Sequence, residues 1–193
     1  MRKNRRYKKE EPHRDANLFV IVTEGGKREP DYFAMIQSSR IIVKTVHPGA
    51  SGKSAPEHLI ERAQDYAKEN GMGKDDNLWF VLDKDDWGEE KLKDVYNECK
   101  DNLNWELAIS NPCFEVWLHM HCWDIDNSYG STCKELKQEL DQNIPGGYKV
   151  EEFVPTMNNA SQQAKTKDQT SSFIPEYKRT KVYQLAEKLL NLM

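Results

Sequence analysis

The chain has 193 residues, of which 37% are hydrophobic and 31% charged, and its formal net charge is −4. This length suits one domain with a single sizeable core. No stretch approaches the roughly 18 apolar residues needed to span a bilayer, and no signal peptide is recognisable, so we expect a cytoplasmic protein with no membrane association. The four cysteines lack any CxxC pairing and are expected to be reduced thiols.

The charge is unevenly distributed. Residues 1–14 carry seven basic side chains against two glutamates, a local charge of +5, so the other residues carry −9. A basic arm on an acidic body suits an anionic partner that also needs a metal ion at an acidic site. A basic terminus that is merely solvated is the alternative interpretation.

The first elements are a strand, a tight turn and a helix. The apolar, β-branched run Asn17–Thr23 predicts a strand, which Glu24–Gly26 ends abruptly. Glu29 and Pro30 then predict the start of a helix, because proline costs nothing in a first turn. The segment Ile41–Val46 is a further strand candidate. The carboxylate of Glu24 is therefore expected at the turn after the first strand.

The segment HPGASGKS at 47–54 superficially suggests a phosphate-binding loop. The spacing excludes the nucleotide motif, because histidine stands where its first glycine is required. Ser54 and Glu57 instead match a capping box, and helical spacing continues to Gly71. Lys53 could contact a phosphate at this helix start. A lysine that faces only solvent is the competing interpretation.

An apolar run at Leu78–Leu82 is followed at once by three carboxylates, those of Asp83, Asp85 and Asp86. Such a run predicts a strand buried on both faces, as in parallel sheets. Asp83 and Asp85 would leave its carboxyl end on the same side, where ligands bind in open α/β sheets. A hard cation such as Mg²⁺, or Mn²⁺, would neutralise them. A polar, helix-capping loop is the alternative.

The next segments predict a helix around Leu92–Cys99, a strand at Trp105–Ile109 and a helix that Ser110–Pro112 caps and starts. Glu115 lies in the first turn of that helix. A glutamate there usually complements the helix dipole. If the preceding strand neighbours the acidic one, however, Glu115 points into the same crevice.

A zinc site in this helix is not expected. His119 and His121 face about 200° apart at helical spacing, so they could not share one ion. Cys122 adds no CxxC-type pairing. His121 is interpreted as a packed core histidine.

The last third of the chain predicts mostly helical structure. We expect a short helix at residues 131–141, a long polar loop at 143–176 that is either a mobile functional element or partly disordered, and a helix at 177–193. Strands alternating with helices predict an α/β fold with an open, mainly parallel four-stranded sheet flanked by helices. The predicted division is a basic arm at 1–14, a catalytic core at 15–122 and a helical extension at 123–193.

Acidic residues thus follow separate strand ends and begin one helix. Glu24, the Asp83 cluster and Glu115 would converge at one edge of the sheet. Carboxylates gathered in this way are what a metal-dependent phosphodiester enzyme needs. A glutamate that does not bind the metal could transfer the proton.

Three motifs, VTEGGKREPDYF, VLDKDDW and ISNPCFEVWL, resemble those of the RloB-like family. Members are bacterial proteins linked to restriction and abortive phage infection, often encoded beside an ATPase partner. The first two motifs are also similar to the Toprim domain of topoisomerases, primases and OLD-type nucleases. The resemblance implies a general acid/base or metal role for Glu24 and Mg²⁺ sites at Asp83 and Asp85; Asp86 and Glu115 match features of the family motifs. No strand-passage tyrosine domain is recognisable, which favours hydrolysis over transesterification.

The leading hypothesis is a Toprim-like nuclease that cuts DNA, or RNA such as tRNA, in an anti-phage system. The predicted catalytic residues are Glu24, Asp83, Asp85 and Glu115. The predicted metal ligands are Glu24, Asp83, Asp85 and Asp86. The predicted substrate-binding residues are Lys27, Lys53 and Lys84.

Two other hypotheses stay open. In one, the basic arm, Lys53 and aromatic residues such as Trp87 hold nucleic acid or a partner ATPase without catalysis. In the other, a nucleotide signal activates an effector and the loop at 143–176 senses it. The last helix could pack on its own core or form a homodimer with a second copy.

Overall fold

A five-stranded sheet lies at the centre of the computed structural model, which describes residues 16–48, 55–84 and 87–193. The strands are β1 (Asn17–Thr23), β2 (Ile41–Val46), β3 (Asn77–Asp83), β4 (Trp105–Asn111) and β5 (Arg179–Thr180). Their order in the sheet is β2-β1-β3-β4-β5. The first four strands run parallel, and β5 pairs with β4 in the antiparallel direction.

Seven α-helices flank this sheet within the described residues. They are α1 (Arg28–Ala34), α2 (Pro56–Asn70), α3 (Glu89–Asp101), α4 (Glu115–Cys122), α5 (Cys133–Asn143), α6 (Met157–Lys167) and α7 (Val182–Leu190). No helix in the described ranges has the length and apolar character needed to cross a membrane.

Both faces of the sheet are covered, which explains the continuous apolar runs in its central strands. In β1, Phe19 and Ile21 belong to the apolar cluster that includes residues of α1, α4, α5, α6 and α7. The alternate residues Val20 and Val22 join residues of α2 and α3 on the other face. The predicted α/β fold with a mainly parallel sheet is confirmed.

The predicted sheet of four strands was one strand short. The fifth strand is only two residues long, and its Thr180 lies opposite Ser110 of β4. The two hydroxyl oxygens are 2.8 Å apart, and the backbone N–H of Lys181 donates to the carbonyl of Ile109 at 2.8 Å. The final helix therefore begins at Val182 instead of Tyr177.

The predicted loop at 143–176 was wrong over Met157–Lys167, which form α6. The buried residues Met157, Ala160, Ser161 and Ala164 recur at helical spacing. Three of these four side chains are small, so the segment has little hydrophobic contrast in the sequence. They nevertheless allow α6 to pack closely against α4 and α7.

The start of α4 also differs from the prediction. Ser110 and Asn111 belong to β4 and do not cap the helix, which begins at Glu115. The Ser110 hydroxyl contacts Thr180, and the side-chain amide of Asn111 donates to the carbonyl of Pro175 at 2.9 Å. Pairing with the C-terminal segment thus replaces the predicted cap.

Candidate acidic site at the carboxyl edge of the sheet

Glu24 and Asp83 lie side by side where β1 and β3 end. These strands are parallel neighbours, with Thr23 opposite Val81. The backbone N–H of Asp83 donates to Oε2 of Glu24 at 3.3 Å. The topology therefore brings together two residues that are 59 positions apart in the chain.

The start of α4 is attached to the same edge through Asp83. Oδ1 of Asp83 accepts a hydrogen bond from the backbone N–H of Phe114 at 2.8 Å. The backbone N–H of Lys84 donates to the carbonyls of Ser110 and Pro112, each at 2.9 Å. These contacts place Glu115, the first residue of α4, close to the end of β3.

A cavity of about 690 Å³ opens at this edge, and both Asp83 and Glu115 line it. Its other walls are the turn after β1, the first residues of α1, one face of α5 and residues 147–148. The volume falls within the range of about 300–1,000 Å³ that is usual for ligand sites.

Arg28 holds Glu115 in place inside this cavity. Its Nη1 lies 3.2 Å from Oε1 of Glu115, and its Nη2 lies 2.8 Å from Oδ1 of Asp141 on α5. The side chains of Arg28 and Glu115 are only 13% and 11% exposed. The guanidinium also lies over the ring of Tyr148, 4.7 Å from its centre. The predicted catalytic residue Glu115 is therefore neutralised by an arginine that sequence reasoning did not single out.

Glu29 is a second carboxylate of the cavity that sequence reasoning missed. A Cβ atom added to Gly25 would overlap the carboxylate of Glu29, so glycine leaves the room that this carboxylate occupies. Burial raises the pKa of Glu29, and the negative charge of Glu115 raises it further, against the lowering effects of a backbone hydrogen bond and of the Lys137 and Arg28 charges. In the sequence this glutamate stands between the glycine turn and the helix, a position that predicts only a helix start.

The predicted substrate-binding lysines have different positions. Lys27 lines the cavity and is exposed. The ammonium of Lys84 donates instead to the carbonyl of Trp87 at 3.4 Å. Lys53 lies outside the described residues. Two further lysines of the cavity, Lys134 and Lys137, come from α5; no sequence motif indicated that α5 would pack beside the acidic edge.

The donor chemistry at this edge fits a hard cation. Glu24 and Asp83 supply carboxylate oxygens, the ligands that Mg²⁺ prefers. The other two predicted ligands, Asp85 and Asp86, lie outside the described residues. Within residues 16–48, 55–84 and 87–193, no group of three or more His, Cys, Asp or Glu residues could hold a metal ion.

The two histidines of α4 use their ring nitrogens in structural hydrogen bonds. His119 contacts the carbonyl of Leu136 through Nε2 and accepts from the indole N–H of Trp123 through Nδ1, both at 2.9 Å. His121 lies 3.2 Å from the Tyr32 hydroxyl and 2.9 Å from the Thr156 hydroxyl. Burial lowers the pKa of His121 to about 3. His121 is thus the buried, neutral core histidine that the sequence predicted.

The sequence of this chain matches a known protein family. The family model described as RloB-like protein matches residues 19–189, which is most of the chain. The chain belongs to the RloB-like protein family. No curated protein and no solved structure matches it.

Proposed function

We propose that this protein is a Toprim-type nuclease that uses Mg²⁺ or Mn²⁺ to hydrolyse phosphodiester bonds of DNA, or of RNA such as tRNA, in an anti-phage defence system. The observation that carries the proposal is the placement of the Glu24 carboxylate 3.3 Å from the backbone nitrogen of Asp83, at the edge where α/β sheets bind ligands. The defence role is carried over from the resemblance to RloB-like proteins.

In this proposal Glu24 and Asp83 would hold the cation, together with Asp85 and Asp86. When bound, the cation would polarise the phosphate and make a water molecule more acidic. The water oxygen forms a bond to phosphorus, and the bond from phosphorus to the leaving oxygen breaks, with its electron pair going to that oxygen. A carboxylate of the site accepts the proton of the water, and the leaving oxygen is protonated from solvent.

The protein itself contributes by orienting the carboxylates of the site. The hydrogen bond from the Phe114 N–H fixes one oxygen of Asp83, and Arg28 fixes Glu115. Carboxylates held in this way need not reorganise when charge develops on the phosphate.

A cleavage assay tests the proposal directly. Purified protein with Mg²⁺ or Mn²⁺ is incubated with plasmid, single-stranded DNA and tRNA, with and without its cognate ATPase partner. We expect cleavage of at least one substrate. The cleavage rate of Asp83→Asn and of Glu24→Gln should be lower than that of the wild type by about 100-fold or more. Asp94→Asn, which changes an exposed carboxylate of α3, is the matched control and should cleave as the wild type does.

Two results would contradict the nuclease. One is the absence of cleavage of all three substrates with both metals and the partner present. The other is equal cleavage by wild type, Asp83→Asn and Glu24→Gln. If both variants still bind nucleic acid and support phage resistance, the non-catalytic binding module is the better description.

A second cavity favours the signal-activated effector as the second candidate function. It measures about 700 Å³ and lies beside the start of β4, lined partly by residues 170–173 of the segment proposed to sense a signal. Phe173 stacks on Tyr96 there, with ring centres 4.5 Å apart and planes 11° apart, and Lys100 lies over the Tyr96 ring. Thermal stabilisation by a nucleotide that is lost in Tyr96→Ala, together with nucleotide-dependent cleavage, would support this role.

We also propose a cytoplasmic location, an ATPase partner and self-association. The four cysteines are free thiols, as expected in a reducing compartment. Co-expression followed by size-exclusion chromatography tests the partner and the homodimer together.

A further inference from the structure

One face of α5 carries two of the basic residues of the cavity, Lys134 and Lys137. Lys134, Lys137 and Asp141 occur at spacings of three and four residues, so they share a side of the helix. Leu136 and Leu140 are fully buried in the core on another side. Packing of these two leucines therefore determines that the lysine face borders the cavity.

This helix is capped at its start and paired with α1 near its end. At its start, Thr132 and Glu135 form a reciprocal capping box, with the Thr132 hydroxyl accepting from the Glu135 N–H at 3.2 Å. Near its end, Asp141 pairs with Arg28 across the cavity. A rigid helix places Lys134 and Lys137 at a defined position relative to Asp83.

The three lysines of the cavity differ from Arg28 in their ion-pair partners. Arg28 is shared between Glu115 and Asp141. Lys27, Lys134 and Lys137 are exposed, and none of them forms an ion pair with another of the described residues. Lys27 and the two lysines of α5 thus line the cavity from two sides. Arg28 and five carboxylates line it with them, those of Glu29, Asp31, Asp83, Glu115 and Asp141.

We propose that Lys27, Lys134 and Lys137 bind the backbone phosphate next to the one that is cleaved, and that this cavity selects unpaired nucleic acid. The inference rests on the proposed nuclease function and specifies its substrate. Lysines hold phosphates as point charges. The cavity is walled by the turn after β1, α5 and residues 147–148, and its volume of about 690 Å³ admits a group of nucleotide size.

The preference for an unpaired strand follows from the recessed position of the lysines, because the turn after β1, α5 and residues 147–148 form walls around them. A nucleotide reaches into such a recess more readily when it is not stacked in a duplex, because leaving the stack has a free-energy cost. Unpaired loops and ends avoid that cost and can place successive phosphates on a basic surface. We therefore expect single strands and hairpin loops to bind better than a duplex of the same length.

Fluorescence anisotropy with a labelled single-stranded oligonucleotide, a hairpin and a duplex tests the inference, in EDTA and in Ca²⁺. The test variant is Lys134→Gln with Lys137→Gln. The matched control is Lys68→Gln with Lys93→Gln, which removes two exposed lysines of α2 and α3. Unchanged midpoints of thermal unfolding verify that both double variants are folded.

The test variant should bind the single strand about 10-fold more weakly. Its slope of log affinity against log salt should fall by up to about 0.7, since both lysines contact the same phosphate and each phosphate contact on a single strand contributes about 0.7. The control should match the wild type. The inference is overturned if both doubles bind alike, if the duplex binds as tightly as the single strand, or if wild type binds no oligonucleotide in either buffer.

Failure of this inference and failure of the nuclease are distinguishable. Normal binding by the lysine variant, with cleavage lost in Asp83→Asn, removes the phosphate site and leaves the nuclease. Weaker binding by the lysine variant, with cleavage retained in Asp83→Asn, supports the phosphate site and contradicts the proposed nuclease.

Discussion

Asp83 joins the end of β3 to the start of α4, because its Oδ1 accepts the backbone N–H of Phe114 at 2.8 Å. Asp83→Ala leaves that N–H without its acceptor, which should lower the free energy of unfolding by about 1–3 kcal/mol. Asp83→Asn keeps a side-chain oxygen at the same place and should lose less. Urea unfolding of both variants in EDTA measures the difference. Equal losses would show that the hydrogen bond does not stabilise the fold.

Arg28 should be a strong determinant of stability, since it neutralises the largely buried Glu115. Arg28→Met leaves that carboxylate without its cation and should cost about 3 kcal/mol. Adding Glu115→Gln removes the uncompensated charge and should restore part of the loss, so a double-mutant cycle gives the coupling energy. Lys165→Met removes one partner of an exposed pair with Glu187 and should have a far smaller effect. Additive losses in the cycle would argue against the ion pair.

His121 should make the fold acid-sensitive. Its pKa is about 3 in the folded protein and 6.5 in the unfolded chain, so the unfolded chain takes up the proton first as the pH falls. The stability contributed by neutral His121 is complete above pH 6.5 and is lost between 6.5 and 3. Between pH 7 and pH 5 the loss should be about 2 kcal/mol.

Urea unfolding at several pH values checks this dependence. His121→Gln should flatten the profile over that range. An unchanged profile in His121→Gln would contradict the assignment.

Glu29 should produce the opposite dependence. Its pKa is raised in the folded protein, mainly by burial, so the ionised form is disfavoured there. Folding stability should fall as the pH rises from the ordinary value of 4.5 through the folded pKa. Glu29→Gln cannot ionise, so in EDTA it should melt at a higher temperature than wild type at pH 8 and show no such advantage below pH 4.5. A constant difference across that range would exclude ionisation as the cause.

The sequence was informative where burial is continuous along the chain. The strands β1 and β3 are apolar on both faces, so their positions and their parallel pairing could be predicted, and the proximity of Glu24 to Asp83 followed. The helix α6 was missed because its buried stripe is mostly alanine and serine. The strand β5 was missed because two residues carry no periodicity.

The residues of the site that the sequence did not predict were missed for one physical reason. Arg28 acquires its role only when the chain folds and brings Glu115 and Asp141 close to it. These two residues are 87 and 113 positions away from Arg28 in the sequence. Lys134 and Lys137 border the cavity because two leucines on another side of α5 enter the core. Such contacts depend on how helices pack on the sheet, which local patterns do not specify.

The short strand β5 has a consequence for biosynthesis. Until Arg179 and Thr180 have left the ribosome, the outer margin of β4 has unsatisfied amides and carbonyls that could recruit a neighbouring chain. The helix α4 also packs against α6 and β5, so Glu115 at its start can reach its final position only after those later segments have been made.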